Sequence, residues 1–330
     1  MNARFYRLTL ALRSRLGTPL SADTLWGHVA WAVRYRDGER ALTEWLERYE
    51  AGDPPLVLTD PMPAGCVPRP RLPARSLPPR RPHDDAFDEQ KKRDRTEWLP
   101  LTLWRSVAEL TSPATVSAAV ELAHRDGFEL PTLKPETVTH AAINRLTGGT
   151  AQEGGGTLFA VDEHFPGDPS PQFDVWLRSP DSADTLRGLF DAALAGGYGR
   201  DGGTGAGQLD VVRVEEQPLP DLEPANAGVL LGPAVPSPAD AARGFLAFGV
   251  RAGRLGGLFS SSPTPSGSDV RQKRAVHCLQ RGSVVVGDSL GPVFGRVLKA
   301  VHEDPCIRHY GVTLVLRCRL DEALLAEVSA

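Results

Sequence analysis

ARFYRLTLALR, residues 3–13, alternates strictly: Tyr6, Leu8, Leu10 and Leu12 fall on one face, and Phe5, Arg7, Thr9 and Arg13 on the other. A period of two is that of a strand half-buried in a sheet. The aromatic and the arginines of the second face suit either a solvated surface or a platform on which bases stack. After a loop, Ser21 stands where it can N-cap a helix, and Asp23 falls in the first turn, where the helix dipole favours a negative charge. Leu25, Val29, Ala32 and Val33 then line one side at helical spacing. The chain opens β then α. Working outward, TLFAV (157–161) and FDVWLR (173–178) predict two strands joined by a connection of Pro, Gly and Asp. A helix from Ser182 follows, with Leu186, Leu189, Phe190, Ala193 and Leu194 on one stripe, and LDVVRVE (209–215) predicts a closing strand.

The resulting series, β-α-β-β-α-β, is the ferredoxin-like order shared with RNA-recognition modules. The second half repeats it more loosely. GVLL (228–231) reads as a strand, Ser237-Pro238 as a cap with proline at the first helical position, and residues 253–269 as a Gly and Ser linker after FLAFGV (245–250). Strands are expected at AVHCL (275–279) and SVVVG (283–287), and a helix near residues 292–301. In the last strand Val312, Leu314, Leu316, Cys318 and Leu320 share one face while Arg317 and Arg319 point away. The expected fold class is α+β, with two ferredoxin-like domains in tandem, residues 1–218 and 219–330. An insertion over 53–105 interrupts the first, because its recurrent prolines remove backbone donors and disfavour helix in the residues before them. From Cys66 to Arg95 it carries nine positive residues against five negative. This basic arm ends in QKKRDRTEWLPLTLW (90–104), where Lys91, Lys92, Arg93 and Arg95 lead into Trp98 and Trp104.

The 330 residues suffice for two cores. Thirty-seven Lys and Arg against forty-one Asp and Glu leave a net charge of −4, which argues against a protein that coats nucleic acid indiscriminately, so any such site is local. Four cysteines with no CxxC are too few for a disulfide scaffold and point to a reducing, cytoplasmic compartment. Arginines break up the opening apolar run, and no stretch of 18 apolar residues occurs, so neither a signal peptide nor a membrane span is expected.

Gly197-Tyr198-Gly199-Arg200-Asp201-Gly202 matches GxGxxG, but a helix precedes it and a strand follows, the reverse of a dinucleotide fingerprint. A P-loop reading fails too, since Gly203 stands where the lysine must be. What remains is either a plain connector or a flexible loop (196–207) whose backbone approaches a phosphate or base, with Tyr198 for stacking and Arg200 for charge. The arm is ambiguous in the same way: a solvated charge run, or cations interleaved with aromatics as single-stranded RNA requires. His277, Cys278, His302, Cys306, His309 and Cys318 sketch a metal site, but the spacings are unpaired and Cys318 lies on an apolar strand face, so no metal and no cofactor is expected. No convincing nucleophile and base set is present. His28 could serve as general base for RNA cleavage through the substrate's own 2′-hydroxyl, or be a packed helix residue.

Six segments, in this order, resemble subunit four of the type III-A CRISPR effector (Csm), a Cas-five-like branch of the RAMP superfamily. They are GTPLSADTLWGHVAWA (17–32), KKRDRTEWLPLTLW (91–104), HAAINRLTGGTAQEGGGTLF (140–159), GGYGRDGGTGAGQL (196–209), RGSVVVG (281–287) and HYGVTLVL (309–316). The match runs from about residue 5 to 320, and INRLTG followed by EGGGTLF is its most specific piece. The glycine loop departs from it in being longer and less rich in lysine. The resemblance implies a non-catalytic subunit that grips the 5′ repeat-derived tag of the guide RNA and caps the foot of the effector. It would dock the large polymerase-like subunit on one side and a backbone RAMP subunit on the other. It further implies that His140, Asn144 and Arg145 contact the tag, that the loop with Gly197, Tyr198, Gly199 and Arg200 follows its backbone, and that Lys91, Lys92 and Arg93 border the path. A guide-processing endoribonuclease using His28 and a protein-only scaffold are the alternatives.

Overall fold

The computed structural model describes residues 3–73, 95–141, 158–240, 243–260, 267, 269–287 and 289–329. Strand β1 (Arg4–Leu12) leads into helices α1 (Ala22–Asp37) and α2 (Glu39–Glu50), then into short strands β2 (Val57–Leu58), β3 (Met62–Pro63) and β4 (Cys66–Pro68). Next come β5 (Trp98–Pro100), α3 (Leu101–Glu109), α4 (Pro113–Arg125), β6 (Leu133–Ala141), β7 (Leu158–Pro166), β8 (Gln172–Ser179), α5 (Ala183–Leu194) and β9 (Leu209–Glu216). The second half holds β10 (Ala227–Leu230), β11 (Gly244–Phe245), β12 (Phe248–Arg251), β13 (Val276–Leu279), β14 (Val284–Val286), β15 (Val293–Gly295), β16 (Val312–Cys318) and α6 (Glu322–Ser329). The fold is α+β.

The first sheet runs β2-β8-β1-β9, antiparallel throughout, with β3 also on β8. Tyr6, Leu8, Leu10 and Leu12 are fully buried and share a core with Leu25, Trp26, Val29, Ala32 and Val33 of α1. Leu186, Leu189, Phe190, Ala193 and Leu194 of α5 join the same core, as the helical spacing predicts. Each such leucine contributes about 2 kcal/mol by leaving water. The other face of β1 is not a stacking platform: Thr9 and Ala11 are buried too. Asp174, opposite Thr9, accepts from Thr9 Oγ1 (2.8 Å), Arg7 Nε (3.0 Å) and the Gly65 N–H (2.7 Å), so Arg7 of this face is spent on an internal carboxylate.

Four further expectations are corrected. The insertion does not begin at residue 53, because Leu56, Val57, Leu58, Met62, Cys66 and Val67 are buried in the first sheet and its surroundings. Their prolines fit because β2 and β3 form the sheet's edge, where a missing N–H breaks no ladder. At the insertion's other end, β5 pairs with β4, and Trp104 is buried with its Nε1 donating to the Pro220 carbonyl (2.9 Å). Strand β7 pairs with β6 and not with β8, forming a two-stranded ribbon in register from Leu133↔Pro166 to Ala141↔Leu158. Among the described residues of the second half neither expected helix forms. Residues 238–240 make a turn in which the Asp240 carboxylate accepts from the N–H groups of Ser237 (2.6 Å) and Gly295 (3.0 Å), and β15 occupies the start of 292–301.

The second sheet runs β11-β14-β10-β16-β15. Its inner strand β16 buries Thr313 and Val315 as well as the alternating apolar set, since both of its faces are covered. Tyr310 ties the two sheets together: its hydroxyl accepts from the Leu58 N–H (2.8 Å) and donates to the Leu58 carbonyl (3.0 Å), and its ring stacks on Trp26 at 5.3 Å.

Candidate nucleic-acid interface

The expected site residues that lie among the described ones meet around the loop that joins β1 to α1. The glycine run after α5 folds back onto this loop. The N–H of Gly207 donates to the Arg15 carbonyl (2.7 Å), that of Tyr198 to the Gly207 carbonyl (2.8 Å), that of Arg200 to Thr18 Oγ1 (2.9 Å) and that of Gln208 to Ser14 Oγ (2.9 Å). Two glycines are required by this closeness. An added Cβ at Gly207 (φ +64°) would lie 2.1 Å from the Tyr198 carbonyl oxygen, and one at Gly199 (φ +71°) 2.6 Å from Thr18 Cβ. Gly197 (φ +80°) is equally enclosed by Ala206, Gly202 and Gln208. The expectation of a flexible loop is therefore corrected to a tethered one whose backbone donors are largely engaged.

Tyr198 does not stack bases. It is fully buried, its hydroxyl accepts from the Ser21 N–H (2.9 Å) and donates to the Pro19 carbonyl (3.0 Å), and its ring stacks on His28 at 5.4 Å. An aromatic ring flanked by glycines suits a tight core corner as well as a base platform, and only the surrounding helix distinguishes them. His28 accepts the Gly199 N–H at Nε2 (3.0 Å), and burial lowers its pKa. The nitrogen that a general base would use already braces the loop. The start of α1 departs from the sequence reading in one respect. Ser21 takes the extended capping conformation, but its side chain bonds Asp23 and Thr24, while buried Asp60 accepts the Ala22 N–H (2.8 Å).

On the other side of the same loop stands the foot of the β6–β7 ribbon. Leu16 and His164 exchange both backbone hydrogen bonds (2.8 and 3.0 Å). Arg15 Nε lies 2.8 Å from the Glu163 carboxylate, which is fully buried, and His140 Nε2 lies 3.7 Å from the other Glu163 oxygen. His140 pairs with Phe159 across the ribbon, their rings stacked at 5.5 Å. Arg200 covers Gly17 and is half-exposed beside Asp201 (3.3 Å), and Arg13 is half-exposed beside Asp210 (2.7 Å). Exposed pairs of this kind hold their partners weakly and can exchange them for phosphate.

Thus Gly197, Gly199, Arg200 and His140 come together around residues 13–18, Tyr198 lies beneath them in the core, and Lys91, Lys92, Arg93, Asn144 and Arg145 lie outside the described residues. Sequence reasoning missed Arg13, Arg15 and Glu163 as members of the site. The signal available was Arg13-x-Arg15 directly after a strand and before Gly17. Trp98, which follows the arm, carries the Arg281 guanidinium 4.8 Å from its ring centre.

Among the described residues no group of three or more His, Cys, Asp or Glu is placed to share a metal ion. His302 is engaged at both ring nitrogens, with the Val270 carbonyl (2.9 Å) and the Asp304 N–H (3.0 Å). Burial, helped by the Lys273 cation, pushes the His309 pKa down to about 4, and burial pushes the Cys318 thiol up to about 12. No described helix is long and apolar enough to cross a membrane.

No family model matches the chain, and no curated protein matches it. Among solved structures, a chain of a Csm1-Csm4 cassette in complex with pppApA aligns over 97% of this chain and 99% of its own length, at TM-score 0.52 and 15% identity. The cassette in complex with AMPPNP gives the same coverage and TM-score at 16% identity. A chain of the Csm3-Csm4 subcomplex of the type III-A CRISPR-Cas interference complex aligns over 94% of this chain and 99% of its own length, at TM-score 0.56 and 13% identity. Csm4 is the subunit that the two kinds of assembly share. The present chain has that fold from end to end, which bears out the resemblance at the level of fold.

Proposed function

We propose that this chain is a non-catalytic subunit of a type III CRISPR RNA-guided effector that holds the 5′ tag of the guide RNA at the foot of the particle. In this reading it stands between the large polymerase-like subunit and a backbone RAMP subunit. Its first half acts as one ferredoxin-like unit and its second half as a diverged partner. The observation that carries the reading is the convergence on residues 13–18 of a glycine loop, a projecting ribbon and three arginines, Arg13, Arg15 and Arg200, within a Csm4-like fold. Half-exposed Arg13 and Arg200, each in a surface pair that can exchange its carboxylate for phosphate, stand beside close backbone at this junction and suit a short single strand, whose phosphates take charge and whose bases are free to stack. His140 and Phe159 offer such a stack on the ribbon.

The test is anisotropy of the purified chain with a repeat-tagged RNA and with an untagged RNA of equal length, across a salt series. Arg13→Ala, Arg200→Ala and the combined neutralisation of Lys91, Lys92, Arg93 and Arg145 are each expected to weaken tagged-RNA binding. Each lost phosphate contact lowers the slope of log K against log salt by about 0.7. Unchanged affinity and slope would overturn the reading. Specific cleavage of repeat RNA in EDTA, lost in His28→Ala, would overturn its non-catalytic part.

A further inference from the structure

Among the described ribbon residues, Glu163 is the fully buried one; along β7 the residues from Leu158 to Asp162 are exposed or half-buried, and along β6 most are exposed. A carboxylate taken out of water is expensive unless a cation meets it, and here Arg15 does. Arg15 Nε stands 2.8 Å from one oxygen and His140 Nε2 3.7 Å from the other. The Arg15 contact is one of charge rather than an aligned hydrogen bond. The pairing Glu136↔Glu163 sets a second carboxylate across the ribbon, and that one is exposed, so burial of Glu163 is a feature of its own place and not of the strand. The glutamate is sealed where the ribbon meets the body: Leu16 beside it belongs to the core, and Leu133 at the ribbon's foot packs against that core.

The ribbon joins the body at few points. Its foot is closed by the Gly167 N–H donating to the Thr132 carbonyl (3.0 Å), and the Leu16–His164 bridge fixes one point of attachment above it. A single backbone bridge leaves a two-stranded ribbon free to rotate about it. In this antiparallel bridge Arg15 and Glu163 each precede the bridged residue of their own segment, so the ion pair crosses the bridge diagonally, and bridge and ion pair together make a two-point attachment that sets an angle. Arg15 is also the residue whose carbonyl receives the Gly207 N–H (2.7 Å). One residue therefore holds the glycine loop through its backbone and the ribbon through its side chain.

We infer that Glu163 is a positioning residue: with Arg15 and His140 it forms a clasp that sets the posture of the β6–β7 ribbon relative to the glycine loop, so that the two RNA-facing elements act as one preformed cradle. The RNA part of this statement rests on the proposed function; the posture part does not. A cradle set before binding spares the strand the cost of ordering it, which is the general advantage of preorganisation.

The test measures posture directly. Spin labels are placed at Leu158→Cys on the ribbon and Ala192→Cys on α5, both exposed positions, in a Cys306→Ser background that removes the exposed native thiol. The parent protein is expected to give one narrow distance distribution, and Glu163→Gln, which keeps the volume and removes the charge, a distribution about twice as wide. Arg15→Met, which removes the other half of the clasp, serves if Glu163→Gln does not fold, and is expected to widen the distribution equally. A width unchanged in whichever variants fold overturns the clasp. Tagged-RNA affinity is read on the same proteins, and a loss of about tenfold in Glu163→Gln is expected. A widened distribution in a protein whose parent binds no tagged RNA would uphold the clasp and overturn the RNA reading, so the two failures are distinct.

Discussion

Gly207 and Gly203 lie four residues apart in one glycine run and are under opposite constraints. At Gly207 a side chain would meet the Tyr198 backbone in a left-handed conformation, whereas nothing stands within 4 Å of a Cβ added at Gly203. Gly207→Ala is therefore expected to cost about 1–3 kcal/mol in urea unfolding and to weaken tagged-RNA binding, while Gly203→Ala stays within about 0.5 kcal/mol. Equal effects would mean that the run is a slack connector after all. From sequence these glycines are indistinguishable, because what selects glycine at Gly207 is the way the run folds back on its own Tyr198 backbone, and at Gly199 the approach of Thr18. Tyr198 illustrates the same limit. Tyr198 is buried, and an aromatic ring in a sequence carries no label saying whether it faces solvent or core.

At the scale of elements, the sequence periodicities that decided strands and helices were those with one face in the core. Strand β1, the stripe of α5 and the alternating set of β16 all obey them. The ribbon strand β6 was invisible because it buries almost nothing, so no period of two is imposed on its residues. The joint between the arm's roots and the second half was equally silent, and it rests on Arg281. Its guanidinium reaches Asp60 (3.1 Å) and Glu97 (2.9 Å) and lies over Trp98, while Asp60, buried, caps the start of α1. Burial raises the Asp60 carboxyl pKa and the Arg281 cation opposes that rise. Arg281→Met is expected to destabilise by about 3 kcal/mol, since a buried carboxylate loses its cation, and to lower hydrogen-exchange protection in the first turn of α1. Adding Asp60→Asn should recover part of the loss. No loss in the single variant would show that Asp60 is held by its backbone contacts alone.

For the molecule as a whole, one core cluster runs from Tyr6 and Trp26 through Leu58 to Val312, Leu314 and Leu316. Two tandem domains with a boundary at 218 predict two separable units, whereas a shared core predicts one cooperative transition. The full chain is accordingly expected to unfold in a single calorimetric step. A 1–218 fragment, deprived of Tyr310, should expose Trp26 and the Leu58 backbone and bind a hydrophobic dye. A fragment with native-like near-ultraviolet dichroism would favour the two-unit description.

What the sequence determined by itself were the features enforced locally or by one buried face: the opening β then α, the stripe of α5, the strands of the second half, the local gathering of positive charge, and an ordered set of segments sufficient to recognise the fold. What only the tertiary structure decided were the relations between distant segments. The glycine loop is closed on residues 14–18, Asp60 rather than Ser21 caps α1, Trp98 and Trp104 are claimed by Arg281 and Pro220, and a ribbon with no hydrophobic signature is fixed through Glu163. The physical reason is the same in each case. Periodicity reports on contact with a continuous apolar surface, while hydrogen bonds and ion pairs between residues far apart in the chain depend on which polar groups the packing happens to bring within about 3 Å.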